Sequence, residues 1–171
     1  MKEYEGKVRV VFKNMVVHPQ VVMDAHKAGC AAAKQGKFVP FKNAFWDKAF
    51  DPYAAAQDLS KLGMDSILAI AKAIGLDTAK LKADMESPAC KAQIDSDMAE
   101  LAKFHVNATP FFFINGKVVS GAQPKEAFKQ VIDERLKVAQ ASGVAGADYY
   151  AREVMGKGEK QFRSKMDPKP H

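Results

Sequence analysis

VNATPFFFINGKVVSG, residues 106–121, is the stretch that decides the fold. Phe111–Ile114 is a short, continuous apolar run, the pattern of a strand covered on both faces. Asn115-Gly116 is the dipeptide most favoured in a two-residue type I′ hairpin turn, because both of its positions need φ > 0. Lys117–Ser120 is predicted to return as the partner strand. The Thr109-Pro110 pair stands at the entry to this hairpin.

Downstream, Pro124 opens a long amphipathic helix, with Ala127, Phe128, Val131, Ile132 and Leu136 expected to face inward. It ends near Ser142-Gly143. A short helix is expected through Met155, and Lys157–His171 is polar and basic and reads as a mobile tail. Upstream, Ser87-Pro88 is a cap followed by proline at the first helical position. The helix that follows carries Cys90, Ile94, Met98 and Leu101 on one face. Asp77 is expected to cap a shorter helix bearing Leu81 and Met85. Asp65 is expected to cap another, with Ile67, Leu68, Ala71 and Ile74 as its stripe. Asp51–Gly63 is a looser stretch. A helix begun at Pro40 holds Phe41, Phe45 and Trp46, read as core aromatics. Pro19–Lys34 is helical, with a small-residue stripe at Ala25, Gly29 and Ala32 or Ala33 that allows close approach of a neighbour. In Lys7–Lys13, KVRVVFK, alternation of Val8, Val10 and Phe12 predicts a strand. The resulting order is strand, four or five helices, strand, hairpin, strand, helix. That is an α/β arrangement with a large helical insertion.

The chain has 171 residues, with 47% hydrophobic, enough for one domain with a real core. Lys and Arg exceed Asp and Glu by 26 to 20, a formal charge of +6, without the concentrated basic patch of a nucleic-acid binder. No nucleic-acid partner is expected. No apolar run approaches the roughly 18 residues of a membrane span. MKEYEGKVRVV at the start lacks the charged-then-apolar layout of a signal peptide.

Five stretches in this order resemble the DsbA-like branch of the thioredoxin superfamily: GKVRVVFKN (6–14), HPQVVMDAHKAGCAAAKQGKFVPFKNAFW (18–46), IAKAIGLDTAKLKADM (70–85), VNATPFFFINGKVVSGAQP (106–124) and EAFKQVIDERL (126–136). The resemblance implies a thioredoxin-like fold with an inserted helical domain. Residues 1–14 and 104–142 are then the sheet portion with its closing helix, 15–103 the inserted helical domain, and 143–171 a C-terminal extension, partly mobile. It also implies a periplasmic or otherwise extracytoplasmic thiol–disulfide oxidoreductase that acts on protein or peptide substrates without a cofactor. In that family a Cys-x-x-C at a helix N-terminus supplies the attacking thiolate, and a cis-proline loop binds substrate backbone. The loop role carries over to Thr109 and Pro110.

The Cys-x-x-C does not carry over, because this chain has none. Its N-terminal strand and helix are expected to be missing, through truncation at Met1, or supplied by another chain, for example in a strand-swapped homodimer. Direct pairing of the two flanking strands is the remaining option. Catalytic residues are therefore expected to be absent from these 171 residues, and no efficient dithiol turnover is expected of them. Two other functions compete: a non-catalytic peptide-binding or chaperone module, and an enzyme like the kappa-class glutathione transferases. The latter usually carry Val-Pro where this chain has Thr109-Pro110.

The two cysteines, Cys30 and Cys90, lie far apart in the sequence. Both read as small apolar residues on helix faces. A redox role, or a Cys30–Cys90 disulfide, is the minor alternative and requires Cα atoms within about 7 Å. His18, His26 and Cys30 are too few and too scattered to predict a metal site.

Overall fold

A computed structural model describes residues 2–164. The end of the basic tail, residues 165–171, lies outside the described residues. The chain divides into two units, Met1–Ala99 and Glu100–His171.

The first unit is helical. Helix α1 (Pro19–Lys34) places Ala28, Gly29, Ala31 and Ala32 on its buried face. Gly29 and Ala32 are thus buried as expected, whereas Ala25 is partly exposed and Ala33 faces solvent, their places taken by Ala28 and Ala31. Helix α2 (Phe38–Phe45) runs through a π-helical turn (Trp46–Phe50) directly into α3 (Asp51–Ala56). The stretch after Asp51, expected to be loose, is therefore helical. Pro52 is tolerated because it stands in the first turn of α3. Phe41 is in the core, whereas Trp46 is 53% exposed and stacks on Phe50.

Helix α4 (Met64–Ala73) buries Ile67, Ile70 and Ala71. Its N-cap is Gly63 and not Asp65, which stands inside the first turn. At its other end, Lys37 Nζ donates to the Ile74 and Gly75 carbonyls, both at 2.9 Å, supplying partners to carbonyls that a helix end leaves orphaned. Helix α5 (Thr78–Glu86) is capped by Asp77, which accepts the Lys80 N–H, and buries Leu81 and Met85. Helix α6 (Pro88–Lys103) buries Cys90, Ile94 and Asp97. Ser87, expected as its cap, turns its hydroxyl back to the Asp84 carbonyl. The core gathers α1, α2, α4 and α5, with α1 packed most extensively on α5 and α2.

The strand expected over Lys7–Lys13 does not form. Its backbone pairs with no strand among the described residues, and alternation alone gives no ladder. The segment is held instead from α6: Asn14 N–H donates to Asp97, and Val16 N–H to Met98 Sδ. Val10, Val11 and Phe12 are exposed, with Phe12 against the Phe38 ring.

The second unit carries the hairpin. Strands β1 (Phe111–Ile114) and β2 (Lys117–Ser120) pair antiparallel, Phe111 opposite Ser120 and Ile114 opposite Lys117. Asn115 (φ 44) and Gly116 (φ 84) form the turn with both central residues at positive φ. Phe112 meets Phe128 of helix α7 (Lys125–Ala141) edge-on, at 4.8 Å between centroids. Phe113, on the opposite face, packs on Phe104. The period-two alternation of a strand thus serves both faces. The inward stripe expected of α7 is only partly covered: none of its residues is buried. A short helix α8 (Gly146–Tyr149) continues as a π-helical turn (Tyr150–Met155). Among the described residues, every buried side chain lies in the first unit, and no helix is long and apolar enough to cross a membrane.

Candidate functional site

The Thr109–Pro110 loop follows α6 and opens β1. Its chain reverses at His105, in the left-handed region at φ 54 and stacked on Phe162. The Thr109–Pro110 peptide bond is cis. Both residues are exposed. The Pro110 carbonyl accepts the Gly121 N–H at 2.9 Å, which ties the loop to the end of β2. Among the described residues, strand β1 has β2 as its one neighbour in the sheet, so its other edge carries backbone donors and acceptors without a strand partner there. Phe112 and Phe113, on opposite faces, retain 36% and 44% exposure. Loop and strand together present an exposed proline, apolar rings and a strand edge in sequence.

The cysteines belong to the first unit. Their reading as unpaired packing residues is overturned: Cys30 and Cys90 form a disulfide, with Cα atoms 5.7 Å apart. Cys30 lies in the later half of α1 and is partly exposed; Cys90, in the first turn of α6, is fully buried. The spacing of the two cysteines carried no signal of this pairing. It depends on α6 folding back beside α1.

A polar cluster lies farther along the same face of α6, and sequence reasoning missed it. Asp97 is 2% exposed on a stripe otherwise made of Cys90 and Ile94. Its carboxylate accepts the Asn14 backbone N–H at 3.0 Å, Asn14 Nδ2 at 2.8 Å and Gln93 Nε2 at 3.0 Å. Lys13 Nζ lies at 3.2 Å. Burial pushes the Asp97 carboxyl up, but the hydrogen bonds from Asn14, Lys13 and Gln93 outweigh it and hold the group below the usual carboxylate range. Asn14 Oδ1 in turn meets His26 Nδ1 at 3.0 Å. Burial holds the His26 imidazole below its ordinary pKa, which favours the neutral ring. An aspartate on an apolar helix face was the readable sign of this cluster.

The structure therefore brings Cys30 to Cys90, and Asp97 to Asn14, Lys13 and, through Asn14, His26. Thr109 and Pro110 belong to the other unit. Among the described residues, no group of three or more His, Cys, Asp or Glu side chains is placed to hold a metal ion.

A family model described as thioredoxin matches residues 1–134. Among curated proteins, the chain is 26% identical over 126 residues to a Na(+)/H(+) antiporter NhaA of Herminiimonas arsenicoxydans, a match covering 74% of this chain and 18% of the antiporter. The chain thus spans less than a fifth of that relative's length. No solved structure matches.

Proposed function

The chain belongs to the thioredoxin family, and on that premise we propose that it is the substrate-holding portion of a DsbA-like protein thiol–disulfide oxidoreductase. Its described part is mostly helical with a small two-stranded sheet. Its role is to hold extended polypeptide at Thr109, Pro110 and the open edge of β1. The observation that carries this reading is the exposed loop running straight into a strand with an unpartnered edge and exposed Phe112 and Phe113. A peptide added there gains main-chain hydrogen bonds from the edge and side-chain contact from the rings. The helical segment between residue 15 and α6 is the inserted domain of this branch. Catalytic turnover on protein substrates in this branch uses a Cys-x-x-C, which on this reading stands on a strand and helix preceding Lys7.

The Cys30–Cys90 disulfide supports a periplasmic or extracytoplasmic location, because disulfides persist in oxidising compartments. Cell fractionation followed by detection of the chain tests that location; recovery in the cytosolic fraction refutes it.

The test of function is twofold. The coding sequence ahead of Lys7 is expected to contain Cys-x-x-C, and its absence sinks the oxidoreductase reading. The 171-residue chain, titrated with a reduced, unfolded peptide, is expected to shift amide resonances of Thr109 and Phe111–Ile114 while reducing insulin no faster than buffer. Binding without an upstream motif leaves the non-catalytic peptide-binding module as the function. No resonance shift at Thr109 or Phe111–Ile114 refutes the binding site.

A second reading rests on the antiporter match. A stretch of that one antiporter resembles this chain, and on this reading the chain serves such a transporter. The coding sequence on either side of this chain is expected to encode apolar membrane-spanning helices in the same frame; flanks without them refute the reading.

A further inference from the structure

Helix α6 is attached to the first unit at points and shares no broad interface with another element. Those points are the Cys90 disulfide, buried Ile94, Asp97 with Asn14 and Lys13, and Met98 with Val16. Apart from the backbone, which enters α6 from α5 through Ser87, the one covalent point is the disulfide, in the first turn, and it fastens α6 to α1. The two residues differ in exposure. Cys90 has no exposed surface, while Cys30 is partly exposed, which makes Cys30 the side open to a thiolate from solvent. They differ also as leaving groups. Cys90 stands third in a 16-residue helix, where backbone N–H groups and the positive end of the helix dipole favour a departing thiolate. Cys30 lies well inside α1, away from its N-terminus.

We propose that Cys30–Cys90 is an exchangeable latch, opened by a dithiol that attacks Cys30 and releases Cys90 and α6. One thiolate of the dithiol bonds to Cys30 Sγ as the Sγ–Sγ bond breaks, and the electron pair leaves on Cys90 Sγ, which takes up a proton. The second thiol of the reductant then attacks its own sulfur in the mixed disulfide and frees Cys30. The dithiol is oxidised to a disulfide and the protein cystine is reduced to two thiols. With the bond open, α6 retains its backbone link to α5 through Ser87 and its non-covalent attachments, and its N-terminal turns detach from α1. Because α6 continues across Ala99 to Lys103, the released element is the one that leads toward the Thr109–Pro110 loop. The latch does not depend on that loop binding peptide.

The full chain is incubated without denaturant in dithiothreitol, then alkylated and weighed, with amide hydrogen exchange measured before and after. Both cysteines are expected to be alkylated. Amides of α6 are expected to exchange at least about tenfold faster in the reduced protein, while α4 stays in slow exchange. With glutathione as the attacking thiol, the trapped adduct is expected on Cys30. Resistance to reduction without denaturant, or an α6 as protected after reduction as before, overturns the proposal. So does loss of protection in α4 together with α6, which makes the bond a staple of the whole unit. An adduct on Cys90 overturns the direction of attack.

Discussion

Asp97→Ala asks how strongly one carboxylate holds the segment before α1. The side chain is 2% exposed and takes three hydrogen bonds, from Asn14 N–H, Asn14 Nδ2 and Gln93 Nε2, plus the Lys13 ion pair. Truncation removes the acceptor from all four donors. The two Asn14 donors are partly buried, and each left unmet costs about 1–1.5 kcal/mol. Lys13, 40% exposed, re-enters water, so its share stays below about 0.5 kcal/mol. Gln93 on the same helix swings outward at similarly small cost. The sum is about 3 kcal/mol, the lower end of the range for breaking a buried ionic contact. The chain's one tryptophan, Trp46, lies in the first unit and reports its unfolding. Urea titration by its fluorescence is expected to show that loss with an unchanged m-value. Asp97→Asn retains an acceptor oxygen and is expected to lose about 1–2 kcal/mol. A loss under about 1 kcal/mol for Asp97→Ala refutes the claim that the carboxylate anchors this segment.

Acid provides an independent check on the same group. The folded-state pKa of Asp97 is lowered, so its contribution is present above the unfolded value, near 4, and is lost as pH falls through the folded pKa. Wild type is expected to lose stability more steeply than Asp97→Ala below about pH 4 in the Trp46 assay; parallel curves refute it. Asp58 and Asp84, also lowered by their hydrogen-bond partners, remain in both proteins and cancel in the comparison. Lys37→Met removes both donors from the end of α4 and is expected to lower stability by about 1–2 kcal/mol, again by urea titration; no change refutes the capping role.

Local chemistry was readable where local chemistry decides. Asn115-Gly116 specified the turn, and the hairpin register follows from it. Leu81, Met85, Ile67 and Ala71 appear on the buried faces their spacing predicts. Lys7–Lys13 alternates like a strand but has no ladder partner, and a ladder is a relation between segments. The π-turn at Trp46–Phe50 was invisible because a pattern counted at 3.6 residues per turn cannot register a wider turn. The two clusters that matter most for the first unit were also hidden. Cys30 meets Cys90 across 60 residues and Asn14 meets Asp97 across 83. Only packing brings such residues together. The Thr109–Pro110 loop, carried on the best-defined local motif, was legible as a place, and its ligand was legible only through resemblance.

The alanine face of α1 constrains how this protein drifts among its descendants. Ala28, Ala31 and Ala32 have no exposed surface, and each added methylene group there forces displacement costing about 1–3 kcal/mol. Asp24 and Ala33 on the outward side are exposed and free to vary. A descendant with valine or leucine at position 31 is therefore expected to carry a smaller residue on the facing side of α5, so that substitutions on these two helices are inherited in pairs.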